Sequence, residues 1–138
     1  MLIRDIMTRE VQLASPRDDL QMAATLMKDH DFGLLPVGDD GRLVGMLSDR
    51  DIVVRGVAAG FYPEHHRVGE IMSPDIKYVY DDESIEDAAR NMSELKVRRL
   101  PVLDRSKHLV GIVSLGDLAL RERAPAGAAL QSISTHAD

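Results

Sequence analysis

An internal repeat constrains the fold of this chain more than any other feature of its sequence. When the sequence is shifted by 65 positions, Ile6-Met7 aligns with Ile71-Met72, and Leu35-Pro36-Val37 aligns with Leu100-Pro101-Val102. One extra residue in the second copy moves the offset to 66 for the remaining matches. Ordered matches of this kind indicate one supersecondary unit that is used twice.

The repeats divide the chain into four segments. We place the first repeat at residues 1–62 and the second at residues 68–123, with a linker at residues 63–67. The linker carries proline and polar residues, as surface connections do. The tail at residues 124–138 lacks a strong apolar period, and we expect it to be loose or to dock on a partner.

Each repeat is predicted to have the element order β-α-β-β-α. A helix with one buried face is indicated by apolar or small residues at i, i+3, i+4 and i+7, namely Leu20, Ala23, Ala24 and Met27 and their counterparts Ile85, Ala88, Ala89 and Met92. The predicted strands are Val11–Ala14, Leu34–Val37 and Leu43–Leu47, then Ile76–Tyr80, Leu100–Leu103 and Leu109–Val113. Second helices begin near Asp49 and Leu115. The fold class is therefore α/β, with small sheets packed face to face and helices outside.

Composition excludes several classes of protein. The 138 residues hold 17 Lys+Arg and 23 Asp+Glu, a net charge of −6, so nucleic-acid binding is not expected. No apolar run is long enough to span a membrane, and the N-terminus does not resemble a secretory signal, so we expect a cytoplasmic protein. The absence of cysteine excludes disulfides and cysteine-based zinc sites.

Residue patterns of enzymes are also missing. The sequence contains no P-loop, nucleophile elbow or dinucleotide fingerprint. The adjacent His65 and His66 lie beside Glu64, which is more typical of a solvated turn than of a metal site with its three or four ligands. We therefore expect no catalytic residue, no catalytic cofactor and no metal.

The polar motif Gly-x-x-Ser-x-x-Asp occurs once in each repeat, as Gly45, Ser48 and Asp51 and as Gly111, Ser114 and Asp117. The serine alone is typical of a helix cap. The aspartate in both copies is harder to explain by capping, and its two acceptor oxygens suit the vicinal hydroxyls of a ribose. The small glycine would let a flat ring approach the backbone.

Two arginines distinguish the second repeat from the first. Arg98 and Arg99 stand where the first repeat has Gly33 and Leu34. Arginine can hold a phosphate through two parallel hydrogen bonds. The alternative is that both are surface residues that pair with acids such as Asp81 or Glu94.

These motifs together resemble a tandem pair of CBS domains, the family named after cystathionine β-synthase, in which a pair is called a Bateman module. The resemblance also rests on the repeat openings, Asp5-Ile6-Met7-Thr8 and Glu70-Ile71-Met72-Ser73, and it extends to Arg123. The stretch from Gly45 to Val53, with residues 56–60, further resembles small stand-alone CBS-pair proteins of the hypoxic response protein type.

The resemblance implies a pseudo-two-fold module with two clefts for AMP, ADP or ATP. One cleft would combine Ser114 and Asp117 with Thr8 and Val11, and the other would combine Ser48 and Asp51 with Ser73 and Ile76. The aspartates would hold ribose, the serines would lie nearby, and each opening segment would flank adenine in the site of the opposite repeat.

Phosphate contacts are implied for Arg98 and for Arg50, which could reach the ligand of the Asp117 site. Gly33 and Gly116 depart from the family pattern at the matching positions. We therefore expect the Asp117 site to be the tighter one.

Regulation of an unidentified partner protein is the implied function, and a homodimer formed through helices is the implied assembly. The helix residues that would furnish the dimer surface are Ile52, Val53, Val57, Leu118 and Leu120. The alternative, which is favoured for any single one of them, is ordinary core packing. The alternatives are a ligand-independent dimeric scaffold or a binder of S-adenosylmethionine or NAD(H). Arg50 and Arg98 favour a phosphate-bearing ligand over a thioether cation.

Overall fold

The computed structural model describes residues 1–121, which form two compact units. The repeat-1 unit is Gln12–Ile76, and the repeat-2 unit combines Met1–Val11 with residues 77–121. These units do not coincide with the sequence repeats, because each combines the body of one repeat with the opening segment of the other. We call residues 1–11 and 68–76 the lead segments. The predicted tail lies outside the described residues.

The repeat-1 unit contains a hairpin and three helices. Its elements are α1 (Leu20–His30), β1 (Leu34–Asp39), β2 (Arg42–Ser48), α2 (Asp49–Asp51), which continues as a π-helix over Ile52–Val57, and α3 (Val68–Ile71). The repeat-2 unit begins with a 3₁₀ turn at Ile3–Asp5 and continues with β3 (Val79–Tyr80), α4 (Ile85–Leu95), β4 (Arg99–Leu103), β5 (Leu109–Ser114) and α5 (Leu115–Arg121). The mixed α/β class with small sheets is confirmed.

The hairpins follow the turn signals in the sequence. Strands β1 and β2 pair antiparallel, and the turn residues Asp40 and Gly41 both have positive φ, as a two-residue hairpin turn requires. Strands β4 and β5 also pair antiparallel, and their longer turn places Lys107 at a φ of 68°. The four predicted hairpin strands are therefore confirmed, each extended by one or two residues.

The predicted first strand of each repeat is longer than the observed one. The segment Val11–Ala14 forms no strand, only a parallel bridge between Ala14 and Val37. In the second repeat the pairing is limited to Val79–Tyr80, parallel to β4. In both repeats only the last residues of the predicted strand find a partner, and the residues before them lie outside the ladder.

The long helices are capped as their sequences indicate. The Asp19 carboxylate accepts a hydrogen bond from the Met22 N–H at 2.7 Å, and the Ser84 hydroxyl accepts one from the Asp87 N–H at 3.1 Å. Helix α4 buries all four residues of its predicted stripe. Helix α1 buries three of them, whereas Ala24 is exposed, so that part of the prediction is wrong. On this side of α1, the neighbouring Ala23 is the alanine that packs into the core of the unit.

Each unit has its own hydrophobic core, and each core includes residues of the lead segment from the other repeat. Ile3 and Met7 belong to the repeat-2 core, together with Val79, Ile85, Ala88, Ala89, Met92, Leu100, Val102, Val113, Leu115 and Leu118. Val68 and Ile71 belong to the repeat-1 core, together with Ala14, Leu20, Ala23, Met27, Leu35, Val37 and Leu47. Burial of these lead-segment side chains attaches each segment to its unit.

Close backbone approach explains the glycine in each Gly-x-x-Ser-x-x-Asp motif. A Cβ atom on Gly111 would lie 2.7 Å from the Met7 sulfur and 2.9 Å from the Thr8 carbonyl oxygen. The corresponding distances for Gly45 are 2.8 Å to Met72 and 3.0 Å to Ser73. Our expectation that these glycines leave room for a ligand ring is wrong, because the lead segment fills the space beside the glycine.

We predict that Gly111→Ala destabilises the protein by about 1–3 kcal/mol, the usual cost of inserting a methyl group into filled space. Urea denaturation of both proteins measures the difference. Gly116→Ala is the matched control: its Cβ would meet only the Ser114 hydroxyl, at 3.5 Å, and alanine favours a helix over glycine by about 1 kcal/mol. An equal loss of stability in both variants would contradict the close-approach explanation.

Candidate functional site

The serine and aspartate of each motif form a reciprocal cap where a strand ends and a helix begins. The Ser114 hydroxyl accepts a hydrogen bond from the Asp117 N–H at 3.2 Å, and Asp117 Oδ2 accepts one from the Ser114 N–H at 3.0 Å. Ser48 and Asp51 form the same pair at 3.0 and 2.8 Å. This is a capping box with aspartate as the acid.

The capping box changes how the Ser-x-x-Asp spacing is explained. We expected the aspartate to be harder to explain by capping, but capping does account for it, since an acid three residues after the serine completes the reciprocal pair. Nevertheless, the cap uses only the Oδ2 atom of Asp117, and Oδ1 lies outside the reciprocal pair. The cap therefore holds a carboxylate in one orientation at the end of β5 with a second acceptor atom available for other contacts.

The lead segment lies directly beside this strand end. The Thr8 N–H donates to the Ile112 carbonyl at 2.8 Å, and the Ile112 N–H donates to the Thr8 carbonyl at 2.9 Å. Ile112 precedes Ser114 by two residues and therefore shares its face of the strand. Thr8 and Val11 thus belong to the same unit as Asp117.

The same arrangement occurs in the repeat-1 unit. Ser73 and Met46 exchange backbone hydrogen bonds of 2.8 and 2.9 Å, and Met46 precedes Ser48 by two residues. The Ser73 hydroxyl also accepts a hydrogen bond from the Asp75 N–H at 3.2 Å. Ser73 and Ile76 therefore share a unit with Asp51. In both units, the serine, the aspartate and the two lead-segment residues that the resemblance assigned to one cleft lie in one compact body.

Arg99 is the arginine that faces the capping box of the repeat-2 unit. Strand register places Arg99 directly opposite Ser114. Burial lowers the pKa of the Arg99 guanidinium, and the negative charge of Asp117 acts in the opposite direction. The cation remains charged at neutral pH, because arginine is effectively always protonated. Arg99, Ser114 and Asp117 therefore form one polar cluster with both signs of charge.

Arg98 precedes the first paired residue of β4 and is exposed. Its carbonyl accepts a hydrogen bond from the Leu115 N–H at 2.9 Å. The family resemblance implied Arg98 as the phosphate ligand. Strand register could have indicated Arg99, because residues opposite each other in a ladder share a face.

The repeat-1 unit lacks a cation at the matching position. Leu34 stands opposite Ser48, where the repeat-2 unit has Arg99 opposite Ser114. A Cβ on Gly33 would lie 3.3 Å from the Asp49 carboxylate, so an acid occupies the space near this position. Arg50 is exposed and belongs to the repeat-1 unit, whereas Asp117 belongs to the other. The two candidate sites therefore differ in charge.

Apolar residues share the strand face that carries the polar cluster. On β4 and β5 this face holds Pro101 and Ile112 next to Arg99 and Ser114. The opposite face carries Leu100, Val102 and Val113, which fill the core. Pro101 and Ile112 are both buried, so the polar cluster lies at the end of a covered apolar strand face.

Of the adjacent histidines His65 and His66, His66 packs against neighbouring side chains. The His66 ring stacks on Phe61 with centroids 3.9 Å apart, and its Nδ1 lies 3.2 Å from Glu70 Oε1. The Glu70 pKa is lowered, first by the hydrogen bond from the Arg67 N–H and then by the contact with His66.

Within residues 1–121, no group of three or more histidine or acidic side chains is arranged to hold a metal ion. Across the same residues, no helix has the length and apolar character needed to cross a membrane.

Comparison with known proteins identifies relatives of similar length. The sequence profile described as CBS domain matches residues 3–56 and 68–123. The CBS domain-containing protein YhcV of Bacillus subtilis is 43% identical over 134 residues, which cover 96% of this chain and 94% of YhcV. Hypoxic response protein 1 of Mycobacterium tuberculosis is 45% identical over 117 residues, which cover 84% of this chain and 81% of that protein.

Solved structures share the fold. Hypoxic Response Protein I, solved with two coordinated zinc ions, has a TM-score of 0.77 and 43% identity, with 88% of this chain and 98% of that chain covered. The CBS domain pair of protein MJ0100, solved in complex with 5-methylthioadenosine and S-adenosyl-L-methionine, has a TM-score of 0.71 and 27% identity, with 87% of this chain and 94% of that chain covered.

Proposed function

Because the chain belongs to the CBS domain family and contains the domain twice, we propose that it is a regulatory module that binds an adenosine nucleotide and signals to a partner protein. The observation that carries this proposal is the cluster of Arg99, Ser114 and Asp117 at the end of an apolar strand face. We propose AMP, ADP or ATP as the ligand, with the repeat-2 unit as the tighter site.

The capping box supplies the proposed ribose contact. A carboxylate oxygen outside the cap can accept a hydrogen bond from a ribose hydroxyl, and the cap prevents the side chain from rotating away. Because the cap already holds the aspartate side chain in one orientation, less conformational entropy is lost when the ligand binds. Thr8 and Val11 would then lie along the base, and Ser114 near the sugar. In the repeat-1 unit, Ser73, Ile76, Ser48 and Asp51 would have the same roles.

Arg99 supplies the proposed phosphate contact. A guanidinium group forms charge-assisted hydrogen bonds to phosphate oxygens, which are stronger than bonds between neutral groups. The MJ0100 pair was solved with two adenosine derivatives, one of them a sulfonium cation. A cation at Arg99 would repel that sulfonium group. This charge favours a phosphate over S-adenosylmethionine in the repeat-2 unit of this chain.

We propose that the protein binds the nucleotide and does not catalyse a reaction on it. The groups near Asp117 are a hydroxyl, a guanidinium and apolar side chains, which can hold a nucleotide but include no base or nucleophile activated by a neighbour. Regulation requires that the ligand bind one conformation more tightly than another. A partner protein that recognises the ligand-bound conformation would receive the signal. Since free adenosine nucleotides are cytoplasmic metabolites, a cytoplasmic location is part of the proposal.

We further propose a homodimer, which is supported by exposed apolar residues on the π-helix. Val53 and Val57 are each 59% exposed, and Val54 is also exposed. In the repeat-2 unit the expectation was wrong for Leu118, which is fully buried in the core, while Leu120 is exposed. Exposed valines on one short helical segment are unfavourable in water and are covered when a second copy packs on them.

We expect Asp117→Asn to weaken nucleotide binding more than Asp51→Asn, because only the repeat-2 unit has Arg99 beside its aspartate. Asparagine can still accept the serine N–H, so the cap is retained and the loss of the carboxylate is isolated. Isothermal titration of AMP, ADP and ATP measures the effect.

Asp19→Asn is the matched control for this comparison, because it changes a capping carboxylate at the start of α1, outside both candidate sites. It should leave the affinity unchanged. Equal losses in the Asp51 and Asp117 variants would contradict the ranking of the sites. A folded wild-type protein that binds none of the nucleotides would leave the scaffold as the better proposal.

We also expect Arg99→Leu, which copies the first repeat, to weaken AMP binding by about tenfold, the scale of one hydrogen bond to a charged group. Adenosine should bind equally to both proteins, because it lacks the phosphate. Arg98→Leu should have a smaller effect, and Arg90→Leu on the exposed side of α4 serves as the control. An equal loss of adenosine binding would show that Arg99 has a structural role.

Replacing Val53 and Val57 together by lysine should convert the dimer into a monomer, because two charges would be buried at the interface. Light scattering after size-exclusion chromatography measures the mass. Tyr62→Lys is the control, since Tyr62 is an exposed residue of the following loop. A wild-type protein with the mass of one chain would refute the dimer.

A further inference from the structure

A cluster of aromatic and charged side chains in the repeat-2 unit lies outside the residues proposed to bind the nucleotide. It contains Tyr78 and Tyr80, which are two of the three tyrosines in the chain, together with Arg105 and Lys107 from the β4–β5 turn and Asp82. The corresponding positions of the first repeat are Leu13 and Ser15 in place of the tyrosines. The cluster is therefore specific to the second repeat.

The Tyr78 hydroxyl is the centre of this cluster. Lys107 Nζ donates a hydrogen bond to it at 3.0 Å, and the Tyr80 hydroxyl lies 3.4 Å away. The same ammonium group lies 5.3 Å from the centroid of the Tyr78 ring and 5.8 Å from that of Tyr80. One phenol oxygen thus has a cation and a second hydroxyl within hydrogen-bond distance.

This arrangement stabilises the phenolate form of Tyr78. The hydrogen bond from Lys107 is the largest cause of a lowered Tyr78 pKa, the Tyr80 hydroxyl adds to it, and partial burial and the charge of Glu83 oppose it. The same hydrogen bond raises the pKa of Lys107, so both partners favour the ion pair. A larger fraction of phenolate makes the oxygen a better nucleophile at a given pH.

The neighbouring tyrosine is held differently. The Arg105 guanidinium lies 4.0 Å above the centroid of the Tyr80 ring, and two hydrogen bonds of 2.8 and 2.9 Å fix it to the Asp82 carboxylate. The ring of Tyr80 is thus covered on one face, and its plane lies at 86° to that of Tyr78, with the ring centroids 5.4 Å apart. The Tyr78 side chain is half-buried and remains open to a small reagent.

From this geometry we propose that Tyr78 is a nucleophilic tyrosine and a covalent modification site for electrophiles that carry an activated acyl or sulfonyl group. In the reaction with an arylsulfonyl fluoride, the phenol proton is lost to solvent and the phenolate oxygen forms a bond to sulfur. The sulfur–fluorine bond breaks, and fluoride leaves with the bonding pair. No oxidant or reductant is needed.

The test is the rate of labelling of each tyrosine by an arylsulfonyl fluoride at pH 7.5, measured on the intact protein by digestion and mass spectrometry. Tyr62 is an internal reference because it is 72% exposed and its ring makes an edge contact with the neutral or weakly basic ring of His65, not with a lysine or arginine, in the described contacts. We expect Tyr78 to react about three times faster than Tyr62 although it is less exposed, a ratio on the scale of one exposed charge contact. A faster reaction at Tyr62 or Tyr80 would overturn the proposal.

Lys107→Gln should abolish the advantage of Tyr78, and Lys107→Arg should restore part of it by retaining the charge. Lys96→Gln is the matched control, because Lys96 is also an exposed lysine with positive φ, at the end of α4, and its removal should leave all rates unchanged. The Tyr62 rate, together with the far-ultraviolet circular dichroism, reports whether each variant is folded. A Tyr78 rate that is unchanged in folded Lys107→Gln would also overturn the proposal.

Discussion

The structure depends on the pairing of each lead segment with the body of the other repeat. In the repeat-2 unit this pairing consists of two backbone hydrogen bonds between Thr8 and Ile112 and of the burial of Ile3 and Met7. The hydrogen bonds require the backbones to approach closely, and a glycine at position 111 makes that approach possible. Without the lead segment, the core would lose two of its apolar side chains, and the adjacent edge of β5 would lose its partner.

The same pairing brings the candidate site together. Thr8 and Ser114 are more than one hundred residues apart in the chain, yet the bridge to Ile112 places them on neighbouring segments. The cap at Asp117 then fixes the carboxylate at the end of the strand, and strand register adds Arg99. A single geometric arrangement thus stabilises the start of a helix and presents charged groups in fixed positions. Because the first repeat has Leu34 in place of Arg99, the two halves share a fold and differ in electrostatics.

The predictions from sequence were most accurate where the determining residues are close together in the chain. The hairpin strands depend mainly on residues close together in the chain, and all four were found. The stripe of α4 was also found, because its apolar period follows the helical repeat. The first strand of each repeat was overestimated, since its length depends on a partner strand elsewhere in the chain. Ala24 and Leu118 were misplaced because an apolar residue on a helix does not indicate by itself whether a core or solvent faces it.

The sequence by itself determined the duplication, the α/β class, the turn chemistry and the residue types of the two motifs. These follow from periodicity, capping and backbone preference, which act over short distances along the chain. The exchange of lead segments was implied by family resemblance and by no local pattern. The register that places Arg99 opposite Ser114 belongs to one hairpin and follows from its turn. Only the tertiary structure decided that the motif glycine admits a neighbouring segment in place of a ring. The physical reason is that close packing between segments is set by contacts between residues far apart in sequence, and the sequence does not reveal those contacts until the chain has folded.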